Sequence, residues 1–117
     1  MHELSIAQAL LGEIKAACER EGIPRALAVK LRIGSLSGVE RHALEMAFPI
    51  AVESAGLEPI ELEIEIVPAS VECRECGHSF SPDQPLFLCE RCESVDVEIV
   101  AGRELEISSI RFERPHQ

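Results

Sequence analysis

The chain has 117 residues, 46% hydrophobic and 27% charged, a globular balance that excludes a disordered segment and leaves room for one domain, or one domain and a small module. Aromatic residues make up 3%, with no Trp and no Tyr, so the core must be aliphatic and a platform for stacking nucleic-acid bases is not expected. Twenty-one Asp+Glu against eleven Lys+Arg give a formal charge of −10, which disfavours a polyanionic partner and suits a metal cation or a basic protein patch, besides keeping the chain soluble. No apolar run approaches the ~20 residues of a membrane span, so neither a nucleic acid nor a membrane is expected as partner. The start, MHELSIAQAL, carries acidic Glu3 and no basic segment. It does not read as a signal peptide, and a cytoplasmic protein is expected.

In chain order, Leu4, Ala7, Leu11, Ile14 and Cys18, with Leu10 beside them, recur at helical spacing. Gly22 is placed to cap that helix and Pro24 to stop it. Cys18 falls on the apolar stripe and reads as a buried structural thiol. From Leu27 to Gly34, Val29, Leu31 and Ile33 alternate with Lys30 and Arg32, the pattern of a half-buried strand. A turn follows at Gly34–Gly38. Ser37 and Glu40 have capping-box spacing, which predicts a second helix carrying Val39, Ala43, Leu44, Ala47, Ile50 and Ala51 and ending near Gly56. Pro49 lies inside it and is expected to kink or divide it. From Ile60 to Val67, Leu62, Ile64 and Ile66 alternate with Glu61, Glu63 and Glu65, a strand whose glutamate row reads as a solvated face.

Residues 71–93 lose this periodicity and hold four of the five cysteines. Strands are predicted again at Val95–Val100 and Glu104–Phe112. In the last, Leu105 and Ile107 share one parity while Ile110 and Phe112 share the other, so a bulge is predicted near Ser108 and Ser109. The strand–helix–strand unit over 27–67 should make a parallel crossover, and the final strand should return to that sheet. The expected fold is α+β: two helices on a small three-stranded mixed sheet, residues 1–69 plus 102–117, with an inserted zinc-ribbon-like four-cysteine module at 70–101.

Cys73-Arg-Glu-Cys76 and Cys89-Glu-Arg-Cys92 are two C-x-x-C motifs twelve residues apart. Cysteines three apart on a tight turn can aim both sulfurs at one ion, and two such turns complete a tetrahedron of thiolates. Gly77 follows the first motif, where a positive φ turns N–H groups toward sulfur. Glu93 holds the same place in the second, so a less ideal turn is expected there. Three readings stand: structural zinc, a pair of disulfides or a redox C-x-x-C, and iron in the same cage. The doubled spacing in a cytosolic chain prefers metal to disulfide, and zinc among the metals. His78 reads as an exposed hairpin residue, with a donor role behind the sulfurs or a replacement ligand as alternatives.

A free α-amino group at Met1, with the amide and imidazole of His2, can form fused chelate rings around one ion, a nitrogen-rich square-planar set suited to Ni²⁺ or Cu²⁺. Taken alone, such a start reads as a plain chain end in which Glu3 favours the helix dipole.

The opening MHELSIAQALL, the turn GSLSGVE, the cysteine motifs CRECGH and CERC, and the ending GRELEISSIRF together resemble the hydrogenase nickel-incorporation metallochaperones of the HypA/HybF type, over essentially the whole chain. The resemblance implies delivery of Ni²⁺ during maturation of [NiFe]-hydrogenase. It implies weak nickel binding through the N-terminal amine of Met1, His2 and backbone nitrogens near Glu3, with Glu40 a further nickel candidate whose helix-capping role is an equal explanation. His42 nearby reads as surface. The resemblance also implies tight zinc binding by Cys73, Cys76, Cys89 and Cys92, and work beside a nickel-handling GTPase and the hydrogenase large subunit.

The rival function is a zinc-ribbon protein-interaction module without nickel delivery; one that binds nucleic acid is disfavoured by the acidic charge and the lack of a basic stripe. An enzyme is not expected, since there is no P-loop, no dinucleotide fingerprint and no nucleophile–base pair, and four cysteines leave a zinc no open position. A rubredoxin-like iron carrier would be coloured.

Overall fold

A computed structural model describes residues 3–82 and 87–114. Helix α1 spans Glu3–Glu21 and buries Ile6, Ala7, Leu10, Leu11, Ile14 and Ala17. Its apolar face is turned from the predicted stripe: Leu4 is exposed and Cys18 only half-buried. It ends in a Schellman motif, with Ile23 N–H donating to Cys18 C=O and Gly22 N–H to Glu19 C=O, and Gly22 at φ 67°.

Strand β1 (Ala26–Gly34) buries Val29, Leu31 and Ile33, as its alternation predicts. Helix α2 is Arg41–Ser54 and carries Pro49 in its interior without being divided. Its start also departs from expectation. Ser37 accepts from Val39 N–H, while Glu40, extended at φ −87° and ψ 117°, is the N-cap and accepts from Ala43 N–H. The longer glutamate side chain reaches back to the third helical amide, so the helix begins after Val39 rather than with it. The solvent side of α2 leaves Met46 and Ile50 exposed, while Leu44, Phe48, Ala51 and Val52 are buried. Its end repeats the motif of α1 at Gly56, with Leu57 N–H to Val52 C=O and Gly56 N–H to Glu53 C=O.

Strand β2 (Glu61–Val67) pairs with β1 in parallel, Ile33 opposite Ile66. Leu62 and Ile64 face the core half-buried, but Ile66 is exposed, because β2 is an edge strand and the helices cover the central strand more fully. The chain then leaves this sheet through β3 (Ser70–Cys73), β4 (Ser79–Phe80) and β5 (Val97–Ala101), which form a second, antiparallel sheet of order β4-β3-β5. Two of these strands lie in the segment without periodicity, and β5 starts two residues later than predicted, leaving Val95 exposed.

Strand β6 (Leu105–Phe112) returns antiparallel to the far side of β1, giving the mixed order β2-β1-β6. Its register slips between Lys30 opposite Ser109 and Leu31 opposite Ile107, so Ser108 is the bulged residue. The bulge lets Ile107 and Ile110 pack against the same core despite their opposite parity.

The two sheets therefore have separate cores. Both chain crossings, near 67–70 and 101–105, meet the turn after β1. Ser35 N–H donates to Val67 C=O, Leu36 N–H to Gly102 C=O at 2.6 Å, and Gly34 N–H to Glu104 C=O at 2.7 Å.

Candidate metal centre

Cys73 closes β3, Cys76 sits in the turn to β4, and Cys89 and Cys92 flank a matching turn before β5. The two turns are built alike. Cys73 N–H donates to His78 C=O and Cys89 N–H to Ser94 C=O, each 2.9 Å. Gly77 N–H donates to Cys73 C=O and Glu93 N–H to Cys89 C=O, again 2.9 Å. Glu93 takes φ 62° and Gly77 φ 76°, so the second turn adopts the left-handed geometry without a glycine. The second turn is the less ideal of the two, as expected: the hydrogen bonds that close the loop hold Glu93 in a conformation glutamate does not favour.

Within these turns, Cys76 N–H points at Cys73 Sγ, and the amides of Cys92 and Arg91 at Cys89 Sγ, at 3.4–3.5 Å. Amides so placed favour thiolate over thiol. The Cys92 amide, with those of Arg91 and the neighbouring sulfurs, outweighs desolvation and brings Cys89 down to about 6. At Cys92 the Ser94 amide pulls down, but desolvation and the three other sulfurs push the thiol up to about 12. Four sulfurs this close therefore cannot all ionise unless a cation joins them.

All four Sγ atoms lie within 4.8 Å of one another, and Cys73–Cys92 and Cys76–Cys89 approach to 3.6 Å. A tetrahedron with metal–sulfur bonds of ~2.3 Å has edges near ~3.8 Å, so the set fits one tetrahedral ion. Cys73 and Cys89 are buried while Cys76 and Cys92 are exposed, which places the cluster at the surface of the second sheet. With four protein sulfurs, such a centre has no position left for substrate.

His78 is not one of the cluster. Its Nε2 lies 2.8 Å from Glu90 Oε1, and its ring stacks on Phe80 at 5.9 Å between centroids. The contact ties one turn to the other, and His78 is half-buried rather than the exposed hairpin residue expected. Nothing in the spacing alone pairs a residue two beyond Cys76 with one just after Cys89; only the folded hairpin brings them together.

The structure does not bring Glu3 or Glu40 into the cysteine group. Glu3 is the half-buried first residue of α1, and Glu40 is engaged as the cap of α2, beside exposed His42. Met1 and His2, the remaining nickel candidates, lie outside the described residues. Hydrogen bonds from the Ala43 and His42 amides hold the Glu40 carboxyl below its usual value. Its folded-state pKa is thus depressed, so its contribution to stability is present above pH ~4.5 and is lost as pH falls through the folded value. Glu40→Gln is expected to flatten the acid limb of the thermal stability curve of α2, read by circular dichroism between pH 7 and pH 3. An unchanged acid limb would remove the charge of Glu40 from the account.

Fold and site together define a small α+β protein of two sheets, the second carrying a four-cysteine cluster able to hold one metal ion, and no helix among the described residues is long and apolar enough to cross a membrane. The sequence profile of hydrogenase/urease nickel-incorporation metallochaperones, HypA, matches residues 1–112. The chain belongs to that family. It is 41% identical over 112 residues to the hydrogenase maturation factor HypA of Nitrosospira multiformis, covering 96% of this chain and 97% of that one. It is 43% identical over 111 residues to the HypA of Chloroflexus aurantiacus, covering 94% and 97%. The solution structure of the nickel metallochaperone HypA from Helicobacter pylori superposes with a TM-score of 0.68 at 26% identity, covering 96% of this chain and 97% of that one.

Proposed function

We propose that this chain is a cytoplasmic nickel chaperone, not an enzyme, that carries Ni²⁺ at its N-terminus and delivers it for maturation of [NiFe]-hydrogenase. Nickel is held by the α-amino group of Met1, by His2 and by backbone nitrogen near Glu3, with Glu40 within the candidate set. Zn²⁺ is held by Cys73, Cys76, Cys89 and Cys92 as a permanent structural ion. Residues 1–69 plus 102–117 form the nickel-binding unit and 70–101 the zinc-binding module. The partners that take and license the cargo are a nickel-handling GTPase and the hydrogenase large subunit.

The observation that carries this reading is the family match, which runs from residue 1 through both cysteine motifs. Chemistry supports the division of labour. A closed four-sulfur cage suits an ion that stays, while a few-ligand nitrogen site suits an ion that must leave. Glu3 opens α1 directly, so the proposed nitrogen ligands immediately precede the first helix in the sequence.

Nickel titration calorimetry on zinc-loaded protein, beside His2→Ala and a chain extended ahead of Met1, tests the reading. The unaltered protein is expected to bind about one nickel, and both variants to lose it. Binding requires a neutral amine and imidazole, with reference pKa values of about 7.7–8.0 and 6.5, so nickel affinity should collapse below about pH 6.5 while zinc stays. If all three proteins bind alike, or affinity is equal at pH 7.5 and 5.5, the zinc-ribbon interaction module replaces this reading.

A further inference from the structure

We propose that the outer edge of β2 is a docking site for an extended segment of a partner protein in which basic and apolar residues alternate. Among the described residues β2 is hydrogen-bonded on one side only, to β1, so a seven-residue strand presents one row of backbone N–H and C=O groups on its outer edge. An added strand would complete the ladder, with its side chains falling alternately on the two faces of the sheet.

The two faces beside that edge differ in chemistry. On the helix side a groove of about 540 Å³ runs between α2 and β2, with Pro49, Ile60, Leu62 and Ile64 along it and the charged Arg41 and Glu45 also in its lining. Every second side chain of an added strand would enter this groove. On the open side stands the row Glu61, Glu63 and Glu65, all exposed. Glu61 and Glu65 lean inward, to Arg111 at 3.4 Å and Arg32 at 3.1 Å, while Glu63 makes no ion pair among the described residues. The basic residues lie on the inner strands, so the outermost row is acidic throughout. An incoming strand with Lys or Arg at every second position would place each charge beside this row, at the cross-strand spacing where opposite charges stabilise and like charges repel.

The same row argues against a second copy of this chain as the occupant. Two β2 strands paired antiparallel would set three glutamates against three glutamates, on a chain already at −10. A basic, alternating segment relieves that repulsion and fills the groove.

The test uses the ¹⁵N-labelled full chain with its metal bound. The probe is a synthetic peptide of seven residues alternating Lys with Val and Ile. Two controls keep its length: one with Glu in place of Lys, and one N-methylated at alternate positions so that one edge cannot donate hydrogen bonds. The Lys peptide is expected to slow hydrogen exchange at alternate amides of Glu61–Val67 and shift the resonances of Leu62 and Ile64. Glu63→Lys should weaken it about three- to tenfold, and both control peptides should fail to bind. The proposal is overturned by no binding at millimolar peptide, by equal binding of either control, by shifts centred on β6 or the second sheet, or by a dimer joined through β2 in sedimentation.

Discussion

Removing the metal from the four-cysteine centre should unfold β3, β4 and β5 while α1, α2 and the first sheet stay folded. Among the described residues the second sheet buries outright only Val71, Phe80, Cys73 and Cys89, with Phe87, Val97 and Ile99 half-buried against them, and two of the four are proposed ligands. A buried aliphatic or Phe side chain contributes about 1.5–3 kcal/mol, whereas ordering the backbone costs about 1–2 kcal/mol per residue. Two such side chains fall far short of ordering a hairpin of this length, and β4 is two residues long. Metal–thiolate bonding in the proposed site would make up the difference, and metal affinity and folding of this sheet would then be one equilibrium. The first sheet has its own core of thirteen buried residues, among them Phe48, Leu31 and Leu44 at 0% exposure, and needs no metal. Amide spectra of protein shown by mass spectrometry to be metal-free should lose the dispersed signals of Ser70–Cys73 and Val97–Ala101 and keep those of Ala26–Gly34. Cys89→Ala should reproduce the loss. Intact signals from the second sheet in metal-free protein would refute a metal-dependent fold.

Gly34→Ala should be the most damaging of the glycine-to-alanine substitutions on steric grounds. A Cβ at Gly34 would lie 2.0 Å from Gly102 O, 2.1 Å from Gly102 C and 2.5 Å from Arg103 N. These are backbone atoms and cannot rotate aside. Nor can Gly102 retreat: it sits at φ 118°, with its own Cβ position 2.8 Å from Ala69 Cα. Relief therefore requires parting the two crossings from the turn after β1 and breaking the Leu36–Gly102 and Gly34–Glu104 hydrogen bonds. Overpacking of this kind costs about 3 kcal/mol or more, equivalent to a fall in Tm of about 10 °C or more. Gly12→Ala is the control, since a Cβ there meets nothing within 4 Å and the site is a helix interior. It should raise stability by up to ~1 kcal/mol. Thermal unfolding by circular dichroism separates the two, and equal melting temperatures would show that the crossing is loose.

If the crossing is as tight as this contact implies, the orientation of the cysteine sheet is tied to the turn that leads into Glu40 and α2. The same peptide units that close the first sheet also clamp the entry and exit of the second.

Much of the molecule was legible in its residues. The strands β1 and β2, the glycine ends of both helices and the bulge at Ser108 follow from spacing and alternation, because each depends on which side of one local element a side chain faces. The gathering of the four cysteines was equally plain, since C-x-x-C is a local turn that aims two sulfurs together. The tertiary structure alone decided the rest. Leu4, Ile50 and Ile66 match the apolar patterns yet stand exposed, because burial depends on what the partner elements cover. Glu40 displaced Ser37 as the cap by reaching the Ala43 amide. The short strands β3 and β4 have no period to read; their pairing comes from β5 and from the sulfurs. The contacts Gly34–Gly102 and His78–Glu90 join residues 68 and 12 apart in the chain. Periodicity reports the geometry of a single element, whereas contacts between elements exist only once the chain has closed on itself.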